Sequence, residues 1–320
     1  MNVSVAPAGL LPRLKLGVSR ITPSAGDVRI FECRHAGADA LPPNTPGAHV
    51  DVYVSDGTAR QYSLLPSDHG SYRFAVKLEA DGHGGSRYLH EAIDVGDVLE
   101  IGIPRNNFSL HAEADHTVLI AGGIGITPLY AMAKRLAEIG SSWELHYSSR
   151  AGRDALFADE LSAMHPSNVS LYGGPNGLRL NLGGVIERAP PSAHFYCCGP
   201  RPLIDEFSRL SAQRPFANIH IEHFRGEPVA PLEAFKVKLK RSGRILQVPC
   251  GRSLLDVLID AGVDVPFSCR EGVCGACEIG VTDGIPDHRD CVLSPAERAA
   301  NNSIVACCSG SRTETLTLDL

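Results

Sequence analysis

Four cysteines toward the C-terminus set the first chemical constraint. Cys269-x4-Cys274-x2-Cys277 is followed after another twenty-nine residues by Cys307, which is the ligand spacing of a plant-type [2Fe-2S] cluster. The run Ser268-Cys269-Arg270-Glu271-Gly272-Val273-Cys274-Gly275-Ala276-Cys277 wraps three thiolates around one short loop. Its two glycines tolerate positive φ and a close backbone approach to the cluster sulfides. Zinc sites usually take C-x2-C pairs at both ends, and disulfide scaffolds are short and cysteine-dense, so neither fits this pattern as well.

Two further candidates lie at strand ends. Gly122-Gly123-Ile124-Gly125-Ile126-Thr127-Pro128 follows an apolar strand and opens a helix, the place where a parallel sheet binds ligands. Its glycines let backbone amides approach a pyrophosphate, Thr127 is expected to cap the helix, and Pro128 suits the first helical position. The turn lacks the third glycine of the full dinucleotide fingerprint, and no acidic residue clearly ends the second strand to hold a ribose. A tight ligand-free turn is the competing reading. Cys197-Cys198-Gly199-Pro200 stands in the same position on a later strand; glycine and proline there bend the chain so that the preceding thiol can face a cleft, although buried cysteines more often serve as inert packing. Earlier in the chain, Arg60-Gln61-Tyr62-Ser63 offers a cation, an aromatic face and a hydroxyl. Gly84-Gly85-Ser86 precedes a helix whose entry can cradle a phosphate or simply carry an ordinary cap.

The elements that hold these residues change character along the chain. Up to about residue 113, short alternating strands such as Val50–Val54, Tyr72–Leu78 and Val98–Ile101 predict an antiparallel barrel. From 114 to 226, strands at Val118–Ala121, Trp143–Tyr147, His194–Cys198 and Ile219–Ile221 alternate with helices at Leu129–Ile139, Leu156–Met164 and Leu203–Leu210, which predicts a parallel, doubly wound sheet. Residues 227–233, with prolines at 228 and 231, read as a linker, and 234–320 as a separate domain carrying the cysteine set.

Composition excludes several functions. A length of 320 residues calls for two or three domains. The balance of 36 acidic and 30 basic residues, net charge −6, lacks the basic excess of a nucleic-acid binder. Met1–Pro7 has no charged segment leading into an apolar one, and no apolar run approaches membrane-spanning length, so no membrane partner is expected and a cytoplasmic location is.

In combination and in this order, Arg60-x-Tyr62-Ser63, Gly84-Gly85-Ser86, the Gly122–Pro128 turn, Cys198-Gly199-Pro200 and the cysteine set resemble the phthalate dioxygenase reductase family, which includes vanillate O-demethylase reductases. The resemblance covers essentially the whole chain. It implies an FMN-binding Greek-key barrel, an NAD-binding α/β domain and a C-terminal β-grasp ferredoxin domain. It further implies that Arg60, Tyr62, Ser63, Lys77, Gly84, Gly85 and Ser86 hold FMN, Tyr62 packing on its ring. Gly123, Gly125, Thr127, Arg150, Gly199 and Pro200 would contact the dinucleotide. Cys198 would sit close to the nicotinamide, Phe224 would flank the flavin, and these two with Ser63 would surround the hydride-transfer centre. Cys269, Cys274, Cys277 and Cys307 would hold the cluster. Of the adjacent pair Cys307 and Cys308, the twenty-nine-residue gap selects Cys307. Arg150 can pair with a 2′-phosphate or contact the adenosine of NADH, and NADH is expected on family grounds.

Nicotinamide releases two electrons at once whereas a [2Fe-2S] cluster accepts one, so a flavin between them is required. The implied protein is a monomeric NADH-dependent oxidoreductase whose acceptor is a Rieske-type aromatic oxygenase or O-demethylase. The alternatives are a cytochrome P450 or another monooxygenase as acceptor, and a non-catalytic redox sensor. The sensor reading predicts eroded nucleotide and flavin motifs, and these look intact.

Overall fold

The computed structural model describes residues 13–35, 37, 40–55, 58–80, 84–150, 155–174, 177–226 and 233–320. Most of the expected linker, 227–232, lies outside them. By contacts the described chain forms two compact units, one from Leu14 to His223 and one from Phe224 to Leu320. The barrel and the α/β segment are therefore packed together, and the chain changes unit at Phe224, a little before the expected linker.

The first unit begins with β1 (Arg13–Pro23), β2 (Val28–Arg34), β3 (His49–Tyr53), β4 (Ala59–Leu65), β5 (Ser71–Lys77), α1 (Gly85–Glu91) and β6 (Val98–Gly102). The strands close into a barrel in the order β1-β2-β5-β4-β3-β6, the crossed connectivity of a Greek key. Leu16, Phe31, Val50, Val52, Phe74, Val76, Leu89 and Ile101 fill its interior, α1 contributing Leu89. Across the strands, Asp51 receives a two-pronged ion pair from Arg105 at 2.8 and 3.0 Å, and Gln61 Nε2 donates to the same carboxylate at 3.3 Å. This fastens β4, which carries Arg60 to Ser63, to β3.

The α/β part follows as β7 (Thr117–Gly122), α2 (Ile126–Glu138), β8 (Trp143–Ser148), α3 (Ala158–Met164), β9 (Val169–Tyr172), α4 (Leu182–Arg188), β10 (His194–Cys198), α5 (Arg201–Ser211) and β11 (Ile219–Glu222). The sheet order is β11-β10-β7-β8-β9, all parallel. Strand alternation divides the apolar residues between two faces. Leu119, Ala121, Tyr196 and Cys198 meet α2 and α3 on one face, together with Leu65, Ala75 and Phe108 from the barrel and its exit. Val118, Ile120, Phe195 and Cys197 meet α4 and α5 on the other. The sheet is thus doubly wound, and α2 is shared between barrel and sheet.

Two helix starts differ from the sequence reading. α2 begins at Ile126 after a single 3-10 turn, so Pro128 is the third helical residue rather than the first. That position still lacks an intrahelical acceptor for its N–H, so proline is tolerated there. α3 begins at Ala158 because Phe157 takes a left-handed conformation, φ 62°.

The second unit contains β12 (Phe235–Leu239), β13 (Ile245–Val248), α6 (Leu254–Asp260), β14 (Glu278–Asp283), β15 (Pro286–Asp287), α7 (Pro295–Ala300), β16 (Ser303–Val305), β17 (Gly310–Ser311) and β18 (Thr315–Leu318). Its mixed sheet runs β13-β12-β18-β14-β16, with β12 and β18 parallel, and β15 pairs separately with β17. α6, capped by Ser253, lays Leu254, Leu255 and Leu258 into the same core as Val237, Ile304 and Leu316, giving the β-grasp arrangement. α7 starts with a reciprocal capping box between Ser294 and Glu297.

Candidate redox sites

In the barrel, the residues expected at the flavin are brought together in part. Arg60 crosses directly over Gly85: a Cβ added there would stand 2.6 Å from Arg60 Cγ and 2.8 Å from its Nε. Gly84 has φ 82°, a conformation that favours glycine, and it lets the chain turn into α1 beside that guanidinium. Ser86 Oγ accepts from the Glu79 amide at 3.1 Å, and Lys77 pairs with Glu79 at 2.9 Å, so both are tied to one loop. Ser63 Oγ is buried without a hydrogen-bond partner among the described residues. A buried hydroxyl normally finds a partner, so Ser63 fits a role toward a bound group. Tyr62 stacks on Phe74 with centroids 5.4 Å apart, which fixes one ring face on the protein. The donors and the glycine-lined entry fit an anionic flavin chain.

At the sheet, two turns at the carboxyl ends of β7 and β10 interlock. A Cβ on Gly125 would stand 2.3 Å from the Cys198 carbonyl oxygen, and one on Gly122 would stand 2.5 Å from Pro200 Cδ. Gly199 likewise meets Gly122 Cα at 2.9 Å. The glycines at 122, 125 and 199 are therefore fixed by contact between the two turns, whereas Gly123 is fixed by its φ of 54° with nothing near it. Thr127 does not cap α2. Its hydroxyl donates to the Ile124 carbonyl at 3.0 Å and is buried inside the turn, holding the loop shape instead. Arg150 is exposed two residues beyond β8.

Cys198 is fully buried, so in this state its thiol lies in the packed floor beneath the turn rather than in an open cleft. Burial, then the Glu222 carboxyl and Cys197, pushes that thiol well above its ordinary pKa. It is held as a neutral thiol, which suits contact and not nucleophilic attack. Glu222 pairs with Cys198 in the parallel register. Its Oε2 is buried without a partner among the described residues, and burial raises its pKa to about 8. Sequence reasoning passed over this residue, which lay just beyond the strand expected at Ile219–Ile221, whereas β11 extends to it. Phe224 is 38 % exposed and belongs to the second unit.

In the second unit, the four expected thiols converge. Hydrogen bonds from the Cys274 thiol, then the Cys307 thiol, hold Cys269 well below the ordinary thiol range, and the Glu271 amide adds to this at 3.3 Å. Cys277 is lowered chiefly by the Cys307 thiol. The Ala276 amide donates to Cys274 Sγ at 3.4 Å. Amide donors around such thiols are what a cluster's sulfur shell requires. Cys308 is held differently from the other four: its Sγ lies against the Val305 carbonyl and Ser309 Oγ, both at 3.7 Å, and under Gly272, and within the group its thiol meets that of Cys307. Gly272 and Gly275 have φ of 75° and 69°. The donor set fits a four-thiolate cluster.

The segment Pro286–Asp290, charged in sequence, is partly internal. Asp290 is buried and accepts from the Val292 and Leu293 amides at 3.1 and 2.8 Å, and the Cys291 amide donates to the Gly272 carbonyl at 2.9 Å. The segment braces the cysteine loop from behind. Gly226 presses on the same loop, since a Cβ there would stand 1.7 Å from the Glu271 carbonyl oxygen.

Comparison with known proteins agrees with this construction. Residues 237–311 match the family model of the 2Fe-2S iron-sulfur cluster binding domain. Over 320 residues, 99 % of this chain and 100 % of the relative, the protein is 42 % identical to the phenoxybenzoate dioxygenase subunit beta of Ectopseudomonas oleovorans. It is 36 % identical to the vanillate O-demethylase oxidoreductase of a Pseudomonas strain, covering 92 % of this chain and 96 % of that one. Among solved structures, phthalate dioxygenase reductase, described as a modular structure for electron transfer from pyridine nucleotides to [2Fe-2S], superposes with a TM-score of 0.70 at 35 % identity, covering 96 % and 98 % of the two chains. The chain carries the flavin, nucleotide and ferredoxin modules of an iron-sulfur oxidoreductase. It belongs to the phthalate dioxygenase reductase family of oxygenase reductase components.

Proposed function

We propose that this protein is the NADH-oxidising reductase of a Rieske-type aromatic oxygenase or O-demethylase system, with FMN in the barrel, NADH at the β7 and β10 turns and a [2Fe-2S] cluster on Cys269, Cys274, Cys277 and Cys307. The observation that carries the reading is the interlocked pair of turns, Gly122–Gly125 against Cys198–Pro200, on a chain that also gathers four thiols in a ferredoxin domain. When bound, FMN accepts a hydride from NADH and releases its electrons singly to the cluster.

The chain's residues supply binding and placement. Arg60 gives the flavin phosphate a charge-assisted partner beside Gly85. The unpartnered Ser63 hydroxyl faces the bound flavin. Gly123 and Gly125 admit the pyrophosphate to the start of α2, and Arg150 reaches the adenosine end. Cys198 forms a neutral, uncharged floor for the nicotinamide, and protonated Glu222 beside it can donate a hydrogen bond to a carboxamide oxygen.

Among the described residues, no helix is long and apolar enough to cross a membrane. The test is to purify the full chain, release and identify the flavin, count iron, and compare NADH with NADPH as donor. Reconstitution with a Rieske oxygenase should support product formation. FAD in the extract, or a preference for NADPH, would refute those parts of the reading, and turnover with a P450 in place of the Rieske partner would replace the acceptor. The P450 reading has one support: a self-sufficient cytochrome P450 monooxygenase contains a region matching 96 % of this chain, with a TM-score of 0.89 at 36 % identity, over 41 % of its own length.

A further inference from the structure

Three histidines outside the proposed electron path converge at the opposite end of the parallel sheet from the nucleotide turns. His111 lies between β6 and β7, His194 opens β10, and His220 lies early in β11. Their ring centroids form a nearly equilateral triangle with sides of 5.0, 4.9 and 5.3 Å. One ring nitrogen from each lies within 4.8 Å of the others. His194 Nδ1 and His220 Nε2 are already 3.1 Å apart, close to the edge of about 3.4 Å that metal–nitrogen bonds of about 2.1 Å give a tetrahedral site.

The surroundings hold these rings in place. Tyr196 stacks on His220 with centroids 4.3 Å apart, and its hydroxyl accepts from the His111 amide at 2.8 Å while donating to the Ser109 carbonyl at 3.2 Å. One tyrosine therefore orients the ring of one histidine and the backbone of another. His194 and His220 are partly buried and His111 is exposed, so the triangle has a protein side and a solvent side, the latter open to water as a fourth ligand. The trio contains no carboxylate, and three imidazoles suit zinc, nickel, copper or cobalt rather than magnesium or calcium.

We propose that His111, His194 and His220 bind one divalent transition-metal ion of the zinc class, separate from the iron-sulfur cluster, and that the ion clasps the β6–β7 connection to the edge of the sheet. The site is structural. It lies at the amino-terminal ends of β10 and β11, whereas Cys198 and Glu222 occupy their carboxyl ends.

The test uses the full-length, untagged holoprotein dialysed against zinc chloride, with iron, flavin and the cluster's visible spectrum monitored throughout. One zinc per chain should bind in addition to the iron and raise the thermal midpoint, since a ligand specific to the folded state stabilises it. His111→Ala and His220→Phe, the second keeping an aromatic ring against Tyr196, should each lower zinc affinity at least about tenfold, the loss seen when even a supporting group is removed. Both variants should retain iron, flavin and ferricyanide reduction. Absence of additional zinc in the intact holoprotein would overturn the proposal, as would binding with unchanged affinity in both variants, which would place the ligands elsewhere.

Discussion

Replacing Glu222 with glutamine should remove a loss of stability that the native protein suffers as pH rises. Glu222 is held at the end of β11, its Oε2 buried without a partner among the described residues, and its folded pKa is raised from 4.5 to about 8. The folded state thus favours the protonated acid. The stabilisation associated with that proton is complete below pH 4.5 and is lost as pH rises through about 8, because the unfolded chain releases the proton first. At about 1.4 kcal/mol per pKa unit, the shift sets an upper bound of about 5 kcal/mol on the loss. Glutamine keeps the size of the protonated acid and cannot ionise. The assay is urea denaturation of both holoproteins at about pH 5.5 and about pH 9, a pair that spans most of the titration window. Trp143, the sole tryptophan and buried in β8 of the same sheet, provides the fluorescence signal. The difference in unfolding free energy should move in favour of glutamine by several kcal/mol between the two conditions, without change in the denaturant slope. A movement below about 1 kcal/mol, less than one pKa unit's worth, would show that Glu222 ionises freely and that its burial does not matter.

Other perturbations follow from the same geometry. Cys307→Ser should lose iron and the visible cluster spectrum while Cys308→Ser keeps both, and the reverse pattern would reassign the fourth ligand. Arg60→Ala should lower flavin retention, measured as flavin per chain after gel filtration, by removing a charge-assisted partner; unchanged retention would remove Arg60 from the site. Gly125→Ala places a methyl 2.3 Å from the Cys198 carbonyl oxygen, so it should destabilise the unit by about 1–3 kcal/mol and weaken NADH binding; a native unfolding midpoint and NADH affinity would show that the two turns are not locked. Cys198→Ala should slow flavin reduction by NADH in stopped flow without loss of iron or flavin, and an unchanged rate would leave the residue as packing.

What the sequence revealed followed how local each signal was. β10 is found where the run His194–Cys198 predicts it, because an apolar segment bounded by proline and glycine turns has little freedom in its limits. Three of the thiols were legible because ligand spacing within one loop is itself a geometric statement, and Cys307 followed from the twenty-nine-residue gap. The start of α2 was misplaced by two residues, from Ile126 to Pro128, since Gly125-Ile126-Thr127 reads as loop, while the packing of Gly125 on Cys198 drives the chain into a helix at once. Thr127 was assigned a cap from its type, but its buried hydroxyl has a nearer acceptor in the Ile124 carbonyl. β9 was missed because Val169–Tyr172 is a short edge strand whose residues are only partly or not buried. Glu222 was illegible in principle: a glutamate ending a strand is usually solvated, and only the register of β10 on β11 shows that it lies beside Cys198. His111, His194 and His220 are far apart in sequence, and only the sheet order collects them.

The ten cysteines show how the fold, rather than the residue type, decides what a thiol can do. All are free. Cys197 and Cys198 lie side by side in β10 on opposite faces of a sheet covered by apolar helices, and burial raises both, so neither offers a ready thiolate. Cys269 and Cys277 are also largely screened from water, yet both are lowered, because their neighbours are other thiols and backbone amides that donate to sulfur. Desolvation acts on all four; hydrogen-bond donors reverse its effect only in the second unit. Arranging such donors requires backbone N–H groups that are not committed to a helix or sheet, and a loop turned inward by glycines with φ near 70° supplies them where a strand cannot. For this reason three of the thiols expected to hold the cluster, Cys269, Cys274 and Cys277, sit on an irregular loop braced from behind by Asp290, Cys291 and Gly226, while the thiol expected at the nicotinamide sits on a regular strand, where the backbone N–H groups are committed to the ladder and burial keeps the thiol neutral.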